Sequence, residues 1–292
     1  MTFLFLIQFL IFVDFNIIFK HFQLDFQQFI CYNIPIIFLK EGIHMEINNK
    51  MYHIGLNAGD IENAKTALIA GDPARIEKIA EHFEKYKFLG FNREYKSYLA
   101  YEKNTPILIL SVGMGGPSAA IGVEEMAQIG IKNIIRIGTC GGMQKDVVAG
   151  DIVIANAAIR AEGTSLEYMP IEFPACADFE LTCSLKNSAE KLNFKYHIGT
   201  VHCKDSFYGQ HEPSRMPVGK MLEYKWNAWK MGGALASEME TAALFVVSSV
   251  LGIKSAAVLL CVWNQELEYN STDFDTEKAV KIAVDVVKNT QK

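Results

Sequence analysis

Short apolar runs alternate with amphipathic stretches from about residue 45 to the C-terminus. Runs such as 66–70 suit buried strands, whereas stretches such as 74–83 repeat apolar residues at helical spacing. This alternation predicts a single α/β domain with a mixed, mostly parallel central sheet flanked by helices. Strands are predicted at 66–70, 107–112, 133–137, 151–158, 199–203 and 255–262, and helices at 74–83, 237–251 and 276–289, with another helix from Pro117.

The first 44 residues differ in composition from the rest of the chain. Residues 1–41 hold ten of the nineteen phenylalanines and contain no Gly, Ala or Arg. Their apolar run at 3–13 is too short for a spanning helix, which needs roughly 20 apolar residues, and no basic start or small-residue cleavage site indicates a signal peptide. We interpret 1–44 as an N-terminal extension produced by translation of upstream DNA, with Met45 as the start of the domain at 45–292. A membrane anchor is the alternative.

Charge and cysteine usage narrow the function classes. The formal net charge of −5 disfavours a general nucleic-acid binder, which needs clustered Lys and Arg. A small anion needs only two or three local cations, so anion binding stays open. The six cysteines form no C-x-x-C pair. We therefore expect reduced thiols in a cytoplasmic protein that has no zinc site. We expect neither a nucleic acid nor a membrane as a partner.

Glycine-bearing loops follow three predicted strands, after Ala70, Val112 and Ile137. Ligands of open α/β sheets bind at the carboxyl ends of the strands, where such loops lie. In the first loop, Gly71 precedes a helix start whose backbone N–H groups can face a phosphate, and Arg75 adds positive charge. Three such loops together favour an anion site over three ordinary tight turns.

A second arginine, Arg136, lies inside an apolar strand and is followed by Thr139, whose hydroxyl suits a phosphate oxygen. Burying an unpaired charge costs several kcal/mol. Arg136 therefore either contacts a bound anion or pairs with a carboxylate, and the sequence leaves both open. A third arginine, Arg93, lies in a polar stretch that the pattern does not locate.

Two further segments carry candidate chemistry. Glu238 and Glu240 are predicted in the first turn of an apolar helix, either as charges favoured by the helix dipole or as carboxylates that hold ribose hydroxyls. Phe207 offers an aromatic face to a base, and Gln210 can donate to and accept from an amide-like edge such as that of uracil. Ordinary helix capping and packing are the competing interpretations.

Taken together, these segments resemble the nucleoside phosphorylase superfamily, and its uridine phosphorylase branch in particular. The resemblance runs in order from about Met51 to the C-terminus. The matching segments are HIGL from His53, GDPARIEKIA from Gly71, NREY from Asn92, VGMGGPSAAIGVEEMAQIG from Val112, RIGTCGG from Arg136, DSFYGQH from Asp205 and ASEMETAAL from Ala236.

The resemblance implies phosphorolysis of uridine to uracil and α-ribose 1-phosphate in pyrimidine salvage, with phosphate as co-substrate and no organic cofactor. It also implies a homo-oligomer with a dimer as the minimal unit and a hexamer as the expected assembly. Arg75, Arg136 and Glu240 are then the expected catalytic residues. The implied ligand groups are Gly71, Arg75, Arg136, Thr139 and a neighbour's Arg93 for phosphate; a neighbour's His53 with Glu238, Met239 and Glu240 for ribose; Phe207 and Gln210 for the base; and Glu94, Met114 and Ser118 for a monovalent cation such as potassium.

The base-binding loop departs from the family pattern, since it lacks a proline and carries Glu212 where an arginine is expected. Arg215 is the nearby replacement that we expect. Three alternatives are weighed. A purine nucleoside phosphorylase would place an Asp after strand 255–262, whereas the first acid here is Glu266. A nucleosidase using water would not need the arginines, and a membrane-tethered nucleoside-binding protein would use residues 1–44 as its anchor.

Overall fold

A mixed ten-stranded sheet organises the chain in this computed structural model, which describes residues 46–47, 49–268 and 272–289. The interpretation of residues 1–44 lies outside the described residues. Two short strands, β1 Glu46–Ile47 and β2 Lys50–Met51, pair with each other in a separate sheet. The ten strands of the large sheet are β3 Thr66–Ala70, β4 Lys85–Asn92, β5 Tyr95–Glu102, β6 Thr105–Ser111, β7 Asn133–Gly142, β8 Ile152–Ala161, β9 Ala175–Cys176, β10 Tyr196–Lys204, β11 Ala236–Glu238 and β12 Lys254–Asn264.

Helices cover both faces of this sheet. They are α1 Ala74–Ala80, α2 Gly116–Gln128, α3 Phe179–Lys191, α4 Phe207–His211, α5 Gly219–Met231, α6 Thr241–Val250 and α7 Glu277–Asn289. Within the described part of the chain, each helix is too short or too polar to cross a membrane.

Strand β11 closes part of the sheet into a ring. It pairs in parallel with β10 and antiparallel with β7, so the path β7–β12–β8–β10–β11 returns to β7. Beyond β7, the order continues as β3–β6–β5–β4. The run β12–β7–β3–β6 is parallel, whereas β4, β5 and the β8–β12 contact are antiparallel. The ends of the strands in this ring border a cavity.

The core lies on both sides of the sheet, as strand β3 illustrates. Ala67 and Ile69 join one apolar cluster together with residues of α2 and α6. Leu68 and Ala70 point the other way and join a cluster with residues of α1, α3 and α7. A strand buried on both faces is usually apolar along its length, which explains the continuous apolar run 67–70 that predicted β3.

The predicted fold class is confirmed, but two local predictions are wrong. The segment 237–251 is not one helix: Ser237 and Glu238 belong to β11, and α6 begins only at Thr241. The residues 138–142 are not a loop, because they continue β7 and pair with both β12 and β11. In both cases long-range strand pairing overrides the local pattern.

The carboxylate of Glu125 fixes the chain before β3. This buried residue of α2 accepts hydrogen bonds from the backbone N–H of Ile54 at 2.7 Å and of His53 at 3.0 Å. The ring Nδ1 of His53 lies 2.6 Å from the same carboxylate. One acidic side chain therefore satisfies two backbone donors of a segment that has no strand partner at these positions.

We expect Glu125→Ala to lower the free energy of unfolding by about 2–3 kcal/mol, because two donors lose their charged acceptor. Urea unfolding measures this change. Glu223→Ala is the matched control, since Glu223 is exposed on α5, and should change stability by less than about 0.5 kcal/mol. Equal unfolding midpoints for the two variants would contradict the role of Glu125.

Candidate functional site

A cavity of about 900 Å³ opens where β3, β6, β10 and β11 end. It brings together residues that lie far apart in the sequence. Of the predicted site residues, its lining includes Gly71, Arg75, Glu94, Met114, Ser118, Arg136, Thr139, Phe207, Gln210, Glu238, Met239 and Glu240. His53, Arg93 and Arg215 are not part of this lining.

Arg136 is buried in the floor of the cavity, with 4% of its surface exposed. Its Nη2 donates a short hydrogen bond to Glu240 Oε2 and lies 3.3 Å from Glu238 Oε2. Burial works against the charge, but the two carboxylates outweigh it and hold the pKa of Arg136 above its usual value. Within the described residues, Nε and Nη1 have no hydrogen-bond partner. The guanidinium is thus both ion-paired and equipped with donors to spare.

Gly138 leaves the space that this guanidinium occupies. A Cβ at position 138 would lie 1.8 Å from Arg136 Nη1 and 2.7 Å from Leu259 Cδ2. Any larger residue would displace the arginine side chain. The glycine in the RIGTCGG segment is therefore required by the arginine two residues before it.

Glu240 and Glu238 have different tasks despite their proximity. Glu240 Oε1 accepts a hydrogen bond of 2.6 Å from the backbone N–H of Gly115, next to the start of α2. Glu238 accepts from the backbone N–H groups of Glu240 at 2.9 Å and Thr241 at 2.9 Å, so it caps α6 from the end of β11. Glu238 therefore acts as a helix cap, one of the two roles that the sequence left open, whereas Glu240 faces the cavity beside Arg136.

Arg75 lies in the first turn of α1 and contributes a second guanidinium to the cavity. Burial lowers its pKa, and the nearby charge of Arg136 lowers it further, against the opposing effect of Asp72. The repulsion between the two guanidinium groups is what an anion placed between them would relieve.

Arg93 and His53 lie together outside the cavity. Arg93 occupies the turn between β4 and β5, where it is exposed, and its Nη2 donates to the hydroxyl of Tyr52 at 3.2 Å. The side chain of Asn92 donates to the carbonyl oxygen of His53 at 2.7 Å. Sequence patterns missed the β4–β5 hairpin because its outer strand is exposed or half-buried at every position, so its apolar and polar residues do not alternate between a buried and a solvent face.

Glu94 and Ser118 form a polar contact at the cavity edge. Ser118 Oγ lies 2.6 Å from both Glu94 Oε1 and the carbonyl oxygen of Val112. The hydrogen bond to Ser118 is the main reason that the pKa of Glu94 is lowered. The side chain of Met114 is 85% exposed beside them.

A polar cluster surrounds Ser237 in the cavity lining, and sequence reasoning missed two of its members. Lys204 Nζ lies 2.8 Å from Ser237 Oγ, and His202 Nδ1 lies 3.0 Å from the same oxygen. Ser237 Oγ in turn lies 2.6 Å from Gln210 Oε1. Lys204 lines the cavity although only 7% of its surface is exposed. A lysine at a strand end looks solvated in sequence, so no local signal identified it.

Arg215 pairs with Glu212 on the surface, with 2.8 Å between Nε and Oε2. It also lies over the ring of Tyr208, 5.8 Å from the centroid. The structure therefore directs this side chain away from the cavity lining.

The family comparison agrees with this arrangement. A family model described as "Phosphorylase superfamily" matches residues 65–292. The chain belongs to the phosphorylase superfamily. The match covers the cavity residues from Gly71 to the last strand.

Several curated members of the phosphorylase superfamily align over most of the chain. A uridine phosphorylase of Treponema pallidum is 50% identical over 241 residues, which are 81% of this chain and 93% of the relative. A uridine phosphorylase of Escherichia coli is 35% identical over 245 residues, 82% and 97% respectively. A guanosine phosphorylase of Halorubrum lacusprofundi is 33% identical over 250 residues, 82% and 98%. Because these relatives include both uridine and guanosine phosphorylases, family membership alone does not identify the nucleoside base, and the residues of the site have to distinguish between them.

His202 gives this superfamily member a testable pH dependence. Burial lowers the pKa of His202 to about 3, with the charge of Lys204 as the second cause. In the unfolded chain the ring takes up its proton near its ordinary pKa of about 6.5. The stability that comes from the neutral ring is therefore present above pH 6.5 and is lost as the pH falls towards 3.

We expect the free energy of unfolding to fall by up to about 1.4 kcal/mol per pH unit from this ring alone within that window. Unfolding of the native protein and of His202→Gln at several pH values isolates the effect from the carboxylates, because the variant lacks only the titrating ring. If the free energy of unfolding changed with pH in the same way for both proteins, His202 would take up its proton equally in the folded and the unfolded protein, and the prediction would be wrong.

Proposed function

We propose that this chain is a uridine phosphorylase, which cleaves uridine with inorganic phosphate to give uracil and α-ribose 1-phosphate in pyrimidine salvage. The observation that carries the proposal is the buried Arg136, which keeps two donor nitrogens without a partner among the described residues beside the cavity. A second guanidinium, that of Arg75, lines the same cavity. Two converging guanidinium groups match the oxygens of phosphate.

The phosphate is proposed to lie between Arg75 and Arg136. Gly71 follows β3 and lines the cavity on the same side as Arg75 of α1. Thr139 adds a hydroxyl to the lining at the other side. These groups position the nucleophile and neutralise its charge without any organic cofactor.

The ribose is proposed to lie over Met239 and Glu240. Glu240 joins Arg136 to the N-terminus of α2 through its two oxygens, so its carboxylate is fixed before substrate arrives. A fixed carboxylate stabilises the positive charge that develops on the sugar as the glycosidic bond lengthens. Glu238 supports this position by capping α6 rather than by facing the sugar alone.

The base end favours uracil over a purine. Phe207 and Gln210 line it, next to Val262 and Trp263. The acid that follows β12, Glu266, is held by Trp226 Nε1 at 2.7 Å and by Lys230 Nζ at 2.6 Å, away from the cavity lining.

The side chain of Asn264 is likewise held by hydrogen bonds within the protein. It is fully buried, and its Nδ2 donates to the carbonyl oxygens of Gln144 at 2.7 Å and Val147 at 2.8 Å. Neither side chain is placed to protonate a purine nitrogen. With Arg75 and Arg136 facing the same cavity, the site also favours phosphate over water as the nucleophile.

In the proposed reaction, phosphate attacks C1′ from the face opposite the base, so the anomeric carbon is inverted. Arg75 and Arg136 hold the nucleophile, Glu240 offsets the charge on the sugar, and the polar cluster around Gln210 receives the negative charge of the leaving base. Positioning and electrostatic stabilisation are the protein's contribution, and no covalent enzyme intermediate is needed.

A homodimer is the proposed minimal unit, with a hexamer as the full assembly. Arg93 and His53 lie side by side outside the cavity of their own subunit, and Glu125 holds His53 in place. We propose that both reach the neighbouring subunit's site, Arg93 at the phosphate and His53 at the ribose. Arg215 stays a prediction as a base contact and would have to leave Glu212 to act there.

A monovalent cation such as potassium is proposed beside Glu94, Ser118 and Met114. Glu94 and Ser118 offer hard oxygen atoms, whereas Met114 can offer only its backbone carbonyl, since a thioether is a soft ligand. We also place the reaction in the cytoplasm. Its support is that the cysteines in the described part of the chain are free thiols, namely Cys140, Cys176, Cys183, Cys203 and Cys261.

A product assay tests the proposed reaction. Uridine, inosine and guanosine are each incubated with the protein, with and without phosphate. We expect uridine to be cleaved to uracil and ribose 1-phosphate only when phosphate is present, and both purine nucleosides to react far more slowly. Hydrolysis in phosphate-free buffer would make the protein a nucleosidase, and faster cleavage of guanosine or inosine would make it a purine phosphorylase.

Subunit complementation tests the shared site. Arg93→Ala and Glu240→Ala should each be inactive alone, but mixed dimers regain one intact site, up to about a quarter of the native sites after random exchange. Arg75→Ala mixed with Glu240→Ala is the matched control, because both changes fall in the same subunit's cavity and no intact site can form. Equal activity of the two mixtures would refute the assignment of Arg93 to the neighbour.

A further inference from the structure

The base end of the cavity contains a buried cation to which the proposed reaction has so far assigned no role. The cationic side chains in the described lining are those of Arg75, Arg136 and Lys204, apart from His211, whose pKa burial lowers. Both arginines belong to the phosphate end. Lys204 ends β10, three residues before Phe207, and so lies at the base end.

Lys204 is buried without a salt bridge among the described residues. Its Nζ makes a 2.8 Å hydrogen bond to the neutral oxygen of Ser237. Burial lowers the pKa of Lys204, and the more distant carboxylates of Glu238 and Glu240 oppose that shift. A buried ammonium group that has only a hydroxyl as its close partner retains capacity to interact with an additional negative charge.

Donor and acceptor counting fixes the direction of the hydrogen bonds around Ser237. An ammonium group can only donate, so Lys204 takes one lone pair of Ser237 Oγ. The hydroxyl hydrogen then goes to Gln210 Oε1, 2.6 Å away, and the neutral His202 donates from Nδ1 to the second lone pair.

The amide of Gln210 is therefore oriented by Lys204. Its Oε1 accepts from Ser237, and its Nε2 uses one of two hydrogens to donate to Gln265 Oε1 at 3.3 Å, which leaves a second N–H for a ligand in the cavity that Gln210 lines. A chain of hydrogen bonds that begins at a positive charge polarises each later donor, so the N–H groups of Gln210 become stronger donors to a carbonyl oxygen.

We propose that Lys204 is a positioning residue for the leaving base: through Ser237 it orients Gln210 to donate to a carbonyl oxygen of the pyrimidine, and its charge stabilises the negative charge that the base gains as the glycosidic bond breaks. This inference rests on the proposed phosphorolysis of uridine. It gives the base end a cation even though Glu212 and Arg215 pair with each other on the surface.

The test compares Lys204→Met with the native protein on two substrates, uridine and 5-fluorouridine, at saturating phosphate. Fluorine withdraws electrons and stabilises the base anion, so its departure needs less help from the protein. We expect the variant to lose about 10²-fold in kcat/KM with uridine but only about tenfold with 5-fluorouridine. Lys220→Met, at an exposed position of α5, is the matched control and should leave both values unchanged.

An equal loss on both substrates would overturn the proposal, because a purely structural lysine would affect them alike. No loss on either would overturn it too. If Lys204→Met does not fold, Ser237→Ala takes its place. Its loss in kcat/KM should again be larger with uridine than with 5-fluorouridine, and smaller than the loss expected for Lys204→Met. The native protein is the check on the reaction itself: if it does not cleave uridine with phosphate, the proposed function fails, whereas equal losses in an active enzyme refute only the role of Lys204.

Discussion

The buried guanidinium of Arg136 is the constraint on which the rest of the cavity depends. A charge inside a strand that is covered on both faces must be compensated, and the compensation comes from Glu240 and Glu238 at the end of β11 and the start of α6. Glu240 also binds the backbone of Gly115, which ties the start of α2 to the same point. Strand β7, helix α2 and the junction between β11 and α6 are distant in sequence and are joined by the Arg136–Glu240 ion pair.

This compensation is incomplete in a useful way. A buried ion pair adds little net stability, because the cost of desolvating both charges offsets their attraction. What it gives is placement: two donor nitrogens of Arg136 remain without a partner in the described part of the structure, while the rest of the group is held. The space for them exists because Gly138 has no side chain. The arginine and the glycine are thus one structural requirement.

The sequence predicted the elements whose signals are local. Strand β3 was placed at its observed bounds because burial on both faces makes it a continuous apolar run from Ala67 to Ala70. The motifs around Gly71, Arg136 and Glu240 were brought to one cavity as expected, since the ends of neighbouring strands meet there. The chain order of strands and helices was sufficient for the fold class.

What failed depends on long-range pairing. Ser237 and Glu238 resemble a helix start locally, but β10 and β7 recruit them into a closing strand. Lys204 has the sequence context of a solvated strand end, and only the closure of the ring buries it beside Ser237. The residues around Lys204 in the sequence do not distinguish it from a solvated lysine, so its burial could be predicted only with the closed ring of strands in hand.

The charges assigned to the phosphate, the sugar and the base match the transition state of the proposed reaction better than they match either reactant. Arg75 and Arg136 are assigned to the phosphate, Glu240 to the sugar and Lys204 to the base, and all four side chains line one cavity. In the transition state, an anionic phosphate and an increasingly anionic base flank a sugar that becomes positive. Neutral uridine has no such pattern, so the alternating charges of the protein interact more strongly with the transition state than with the bound nucleoside, which is the condition for acceleration rather than mere binding. Because these groups are held by one another before substrate arrives, little reorganisation is needed when the charge develops.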